Sequence, residues 1–260
     1  MDILIHGASG LLAGSVAVHA SQARGVKRKL WILFTGLLAG VLPDLDVLSM
    51  WSGFDGTFGK WFGLQESGRE IFRGKHWYSH HGFSHSIVCA ALLSVSILGI
   101  RQMVFRNNKG TARMYALTFF GGYMAHLLGD LPTPPGAWGG IRLFYPLDQY
   151  VGGFAWTFWW NNYDVFLLIL SGIAVNLLLL VVRKRLTVLQ NWKWAGAVVA
   201  LTFALCTFQL ATRGEPFIYE RHTGQYANQE QRSLDIQRSI LGERLYKAMW
   251  WFDQRVPLNF

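Results

Sequence analysis

From Val165 to Val182 the chain carries no charged side chain, and the run is nearly long enough to cross a bilayer by itself. A hydrocarbon core of about 30 Å needs roughly 20 mostly apolar residues in a helix. Residues 4–20, 30–50, 84–100, 114–131, 165–182 and 194–212 meet or approach that requirement. Backbone groups in lipid must find their partners within the segment, so such runs predict helices. The first is short and rich in Gly and Ser, and the second is interrupted near its end by Pro43. Gly10, Gly14, Gly36 and Gly40 suit close helix packing inside a bundle. No cationic stretch precedes the first span, which therefore reads as a retained helix rather than a cleaved signal. The expected fold is an all-α polytopic membrane bundle of about six transmembrane helices.

Charge orients the bundle. Only 15% of residues are charged and 52% are apolar, with a net charge of +9, which excludes a disordered chain and argues against an ordinary soluble enzyme. Three short loops hold four cations each and no acid: Arg24, Lys27, Arg28, Lys29; Arg101, Arg106, Lys109, Arg113; and Arg183, Lys184, Arg185, Lys193. They join spans one to two, three to four and five to six, so all lie on one face, which the positive-inside rule makes cytoplasmic. The 15 acidic residues fall on the other side or at its boundary. The basic balance is thus an orientation signal, and no nucleic-acid partner is expected. Both termini are expected outside, in a bacterial inner membrane.

The expected organisation is a transmembrane domain over 1–212, with outer loops 44–85 and 126–164, followed by an extracytoplasmic helical tail over 213–260. In that tail Leu234, Leu241, Leu245, Ala248 and Phe252 recur at helical spacing, which predicts an amphipathic helix. Trp250 and Trp251 could anchor it at headgroup level, or it could pack on the protein's own outer surface. Cys89 and Cys206 fall within spans and read as small packing residues.

Ionisable groups at membrane depth are rare and usually functional. Here they form four clusters: His6; Asp44 and Asp46; His80, His81 and His85; and His126 with Asp130. The orientation set by the lysines and arginines places all four at the same outer end of the bundle. His126 and Asp130 are four apart, hence on one helical face, and Pro43 breaks the helix before Asp44. Mixed imidazole and carboxylate donors suit zinc foremost, with manganese or iron as alternatives, and not calcium. The metal-ligand candidates are His6, Asp44, Asp46, His80, His85, His126 and Asp130. These exceed what one four-coordinate zinc needs, so one or two divalent ions are expected. A lone His or a helix-capping Asp would each have an ordinary structural explanation; three histidines within His80–His85 are harder to explain by packing.

In combination and order, these motifs resemble the inner-membrane metal-dependent hydrolases known as the YdjM-like or LexA-regulated membrane hydrolase family. Its pattern runs from an N-terminal His through Pro-Asp-x-Asp, His-Arg-Gly-x-Thr-His-Ser and His-x-x-x-Asp-x-x-Thr to a Pro-Phe-like element. The matching positions are His6, Pro43 to Asp46, His80 to Ser86, His126 to Thr133, and Tyr145-Pro146-Leu147, so the resemblance covers roughly residues 1–150. The family's Arg is His81 here, its Thr is Ser84 and its Phe is Leu147. Ser84 keeps a hydroxyl and is carried over as a site residue, whereas His81 keeps no permanent cation. The resemblance implies a metal-dependent hydrolase embedded in the membrane.

The expected activity is therefore hydrolysis of a lipid or lipid-linked substrate at the outer membrane–water boundary, a phosphoester foremost. His81 is the candidate proton shuttle, and Arg142, the only cation of the second outer loop, is a candidate phosphate clamp. Trp51, Phe54, Trp61, Trp77, Trp156, Trp159 and Trp160 flank that end of the bundle, although aromatic belts occur at interfaces in general. The alternatives are an acyl-ester or amide hydrolase using the same metal, and a metal transporter or sensor without turnover.

Overall fold

The computed structural model describes residues 3–21, 25–104, 109–132, 139–152, 162–182, 188–213 and 226–255. Thr133, Trp156, Trp159 and Trp160, together with the cations Arg24, Arg106, Arg183, Lys184 and Arg185, lie outside the described residues. The long helices are α1 (Ile3–Ala20), α2 (Val26–Val41), α5 (Ile87–Val104), α6 (Lys109–Asp130), α7 (Tyr163–Val182), α8 (Val188–Ala211) and α9 (Tyr226–Asp253), with short α3 (Lys60–Phe62) and α4 (Gly68–Arg73) between them. Among the described residues the extended backbone amounts to one bridge, between Ile141 and Val151. The architecture is the all-α bundle expected.

Among the described residues five helical stretches are long and apolar enough to cross a membrane: Ile3–Ala20, Val26–Met50, Ile87–Val104, Tyr163–Val182 and Asn191–Ala211. The sixth expected span, α6, is 22 residues long but less apolar, and it is held between α1, α2 and α5. Its neighbours, rather than its hydropathy, keep it in the bundle. The expected second span is really two pieces. The α-helix stops at Val41, and Leu42–Met50, with Pro43 at its start, continues as a 3₁₀-helix. The missing Pro43 N–H and its ring end the α-helical ladder there, which turns Asp44 and Asp46 back over the end of the bundle.

The axis of the bundle is α1, of which 61% of the span is buried against 17–33% for the other four candidates. One side of α1 meets α2 and α6, and the other meets α7 and α8. On that second side Ile5, Leu12, Ile169, Ile173 and Cys206 form one apolar cluster; Cys89 belongs to another, with Phe119, Tyr123 and Leu127. Both cysteines are therefore packing residues, as expected. Polar glue also joins α1 to α7: Asn176 Nδ2–H donates to Ser15 Oγ at 2.7 Å, and His19 Nε2–H donates to the Asn176 carbonyl at 2.8 Å.

A buried ion pair ties α7 to the end of α8. The Arg213 guanidinium donates to Asp164 Oδ1 and Oδ2 at 2.8 and 2.7 Å and to Asn162 Oδ1 at 2.5 Å, and Gln209 donates to the same carboxylate at 3.2 Å. Both side chains are essentially inaccessible. Replacing Arg213 with Leu leaves a buried carboxylate uncompensated and should cost about 3–5 kcal/mol. The Arg213→Leu/Asp164→Leu double variant should recover most of that loss; thermal unfolding in detergent measures both.

The tail helix α9 packs on α7. Among its described side chains the buried ones are Ser233, Gln237 and Tyr246, whereas Leu245, Trp250, Trp251 and Phe252 are exposed. Gln237 Oε1 accepts the Tyr163 N–H at 2.9 Å, and the Tyr163 hydroxyl donates to Asp253 at 2.7 Å. The first-turn N–H of α7 has no intrahelical acceptor, so a polar residue of α9 serves it and an aromatic face stays outward.

Candidate metal centre

Four chain segments deliver donors to one point. The first turns of α1 carry His6, the 3₁₀ turn after α2 carries Asp44, the short turn Phe83–His85 carries His85, and the last turns of α6 carry His126 and Asp130. His6, His85 and His126 are fully buried and Asp130 nearly so. His6 Nε2 lies 3.0 Å from Asp130 Oδ1 and 3.9 Å from Asp44 Oδ2. His85 Nε2 is 3.3 Å from Asp44 Oδ1 and 3.6 Å from Asp130 Oδ2. His126 Nε2 is 3.6 Å from Asp44 Oδ1 and 3.0 Å from Asp130 Oδ2.

Those separations fit a shared ion. Donors about 2.1 Å from one metal stand roughly 3.0–3.4 Å apart in octahedral or tetrahedral arrangement. His6 Nδ1 and Nε2 and His126 Nε2 are buried and make no aligned hydrogen bond among the described residues. Such atoms are costly to bury unless something else binds them. Two carboxylates at one buried point also concentrate negative charge, which a divalent cation bound there would balance. The sets His6–His126–Asp130, Asp44–His85–His126 and His80–His81–His85 each place their donor atoms within 4.8 Å of one another.

The tautomers are organised for this. A carbonyl can only accept, so His126 Nδ1–H donates to Gly40 O at 2.7 Å and His81 Nδ1–H to Gly140 O at 2.9 Å. His80 Nδ1–H donates to Asp46 Oδ1 at 2.8 Å. Ser84 Oγ donates to Asp46 Oδ2 at 3.2 Å and accepts from His85 Nδ1–H at 3.0 Å. All four rings thus hold their Nδ1 proton against a fixed acceptor, and His85 and His126 present Nε2 to the carboxylates, the usual support for a ligating histidine. Burial first, then the neighbouring His80 and His85 rings, holds the His81 imidazole well below its ordinary pKa, and burial lowers that of His85. Both therefore stay neutral at neutral pH.

Loop positions are equally determined. Phe72 of α4 stacks on His80 with ring centroids 4.3 Å apart, and its carbonyl accepts the His80 N–H. Residue α4 itself starts at a capping box, Ser67 with Glu70, whose carboxyl is held below its ordinary pKa by the Ser67 N–H and hydroxyl. His81 adopts φ 64°, a left-handed conformation uncommon outside glycine, although His is among the residues that adopt it more readily. It is locked there because its ring holds Gly140 and its carbonyl accepts the Arg142 N–H at 2.9 Å.

Of the expected site residues, the structure brings His6, Asp44, His85, His126 and Asp130 to one centre, with His80 and His81 adjoining through His85. Asp46 stands behind them, as acceptor for His80 and Ser84, and Ser84 links Asp46 to His85. Arg142 is buried rather than solvated. Its Nη2 pairs with Asp148 at 3.0 Å, and its Nε has no hydrogen-bond partner among the described residues. Sequence reasoning passed over Tyr123, whose hydroxyl donates to the Ser84 carbonyl. It stands three residues before His126, so its helical face was readable. Gly40 and Gly140 act through backbone carbonyls, for which side-chain patterns give no signal.

The fold and this cluster define a polytopic membrane protein with a buried His/Asp centre at one end of its helices. The chain belongs to the YdjM inner membrane protein family, whose match runs over residues 1–215, further than the 150 residues that the motifs alone cover. It is a multi-pass protein of the inner membrane. No curated protein and no solved structure is similar to it.

Proposed function

We propose that this protein is a metal-dependent hydrolase acting on a lipid or lipid-linked ester at the outer membrane–water boundary, with a phosphoester as the favoured substrate. The observation that carries the reading is the convergence of His6, Asp44, His85, His126 and Asp130, with buried imidazole nitrogens lacking other partners. These five would hold the ion, zinc foremost and manganese or iron otherwise, and His80 would serve a second one. Bound there, a divalent ion supplies a water of pKa near about 7 and polarises the oxygen of the scissile group.

The other roles fall to this chain's own groups. His81 is kept neutral by burial and oriented by Gly140, so its Nε2 suits a base that takes the proton of the attacking water and returns it to the leaving oxygen. Ser84 and Asp46 hold His85 and His80 in register. Arg142, whose backbone N–H is held by the His81 carbonyl and whose Nη2 pairs with Asp148, would offer its Nε–H to a non-bridging phosphate oxygen. Exposed Trp51, Trp61 and Trp77 line the same end, where acyl chains would remain in the bilayer. The opposite end carries Arg28, Arg101 and Arg113, and the positive-inside rule supports a site on the outer face.

The buried Arg142 favours a phosphoester over the acyl-ester or amide alternative. Arg142→Gln should raise KM by roughly tenfold or more, because a charge-assisted hydrogen bond is lost, with a smaller change in kcat. The reading is tested with the protein in lipid nanodiscs offered phospholipid and polyprenyl phosphoesters. Chelation should stop turnover and zinc should restore it, releasing inorganic phosphate or a phosphorylated alcohol. Fatty acid or free amine as product would establish the alternative, and no product with metal bound would remove the enzyme reading.

A further inference from the structure

Two cavities flank the N-terminal half of α6, at the end of the bundle opposite the metal centre. One, of about 740 Å³, lies between α6 and the C-terminal half of α1 and is lined by Ala17, Thr118 and Gly121, with Arg28, Thr111 and Arg113 at its charged end. The other, of about 380 Å³, lies between α6 and α5 and is walled by Val95, Leu98 and Phe120. They share two residues, Arg113 and Leu117. Leu117 is 70% exposed and forms the ridge between them.

The glycines add a second observation. Gly122 is accounted for by the approach of α2, since an added Cβ would lie 2.6 Å from Gly36 O. Its neighbour Gly121 lines the larger cavity, and there an added Cβ would meet nothing within 4 Å among the described residues. With no Cβ at Gly121, the larger cavity reaches the α6 backbone there and has room for a chain.

We propose that these two grooves seat the acyl chains of one anionic diacyl phospholipid, straddling Leu117, with its phosphate held by Arg113 and Arg28. The charge complement argues for this occupant. Two guanidinium groups and the Thr111 hydroxyl, which accepts from Arg28, stand at one mouth above walls that are mostly apolar. Basic pockets between helices on the cytoplasmic side are suited to anionic headgroups. Arg113 lies thirteen residues from His126 along α6, about 20 Å, so this lipid is not the bond to be cleaved. The site holds whether or not the hydrolase reading does.

The test is lipid retention. Full-length protein is equilibrated in phosphatidylcholine nanodiscs containing one-tenth phosphatidylglycerol, extracted in mild detergent, and its bound lipid is counted by native mass spectrometry. Each arginine should favour phosphatidylglycerol roughly fivefold, and the pair about twenty-five-fold. The Arg28→Gln/Arg113→Gln variant should lose that preference. So should Gly121→Leu, which has room for its side chain and raises helix propensity, and which therefore decides the matter if the arginine variant does not fold. Retention of both lipids in their bulk ratio by the wild type, or an undiminished preference in folded Gly121→Leu, overturns the proposal.

Discussion

Asp130→Ala is expected to strip the metal centre. Its two oxygens face His6 and His126 at 3.0 Å and His85 at 3.6 Å, whereas Asp44 meets the same three rings at 3.3–3.9 Å, so Asp130 holds two of them more closely. Metal content by elemental mass spectrometry should fall from one or two ions per chain to a trace. Affinity should drop by more than about a hundredfold, beyond what loss of an outer partner causes. Asp46→Asn supplies that comparison: it weakens the support of His80 and Ser84 without removing an inward donor, and should cost about 10–100-fold. Equal losses in the two variants would mean that Asp46 ligates directly. Unchanged metal in Asp130→Ala, with the helices still folded, would refute the centre.

How far the sequence foretold this centre depended on which side chains were out of place for their surroundings. His6, His126 and Asp130 are conspicuous because lipid is a poor solvent for them, and Pro43 announces the turn that delivers Asp44. The spans emerged from apolar run length, and α6 emerged with them even though its hydropathy is modest. The Asp164–Arg213 pair escaped notice because each residue sits at a span end, where a charge is unremarkable, and only folding brings partners 49 residues apart together. The face that α9 turns to the protein was left open for a related reason. Periodicity identifies an apolar stripe, yet at a membrane surface that stripe can face lipid while Gln237 and Tyr246 face the protein. Support from Gly40 and Gly140 was invisible, since a backbone carbonyl has no residue type.

Gly36→Val is expected to remove the folded bundle altogether, and the reason connects packing to the metal centre. A Cβ at Gly36 would run into Gly10 O and lie 3.0 Å from Gly14 Cα; a Cβ at Gly10 would run into Gly36 O, and one at Gly40 into His6 O. With Gly122 approaching Gly36 O from α6, three helices meet backbone to backbone. Without a hydrophobic drive between helices in lipid, such close van der Waals contact is what holds them. Backbone atoms cannot rotate away, so Val must push α1, α2 and α6 apart. The cost should exceed about 4 kcal/mol, read as loss of a monodisperse peak in detergent. Gly40→Ala is the milder form. It presses on His6 O beside the donor ring and on α2 where Gly40 O holds His126. A folded Gly40→Ala protein should therefore bind metal more weakly than wild type while keeping its helicity, because the glycines that let the helices touch also set the spacing of the donors. Wild-type metal affinity in that variant would show that the centre tolerates displacement of α2 and is set by the loops alone.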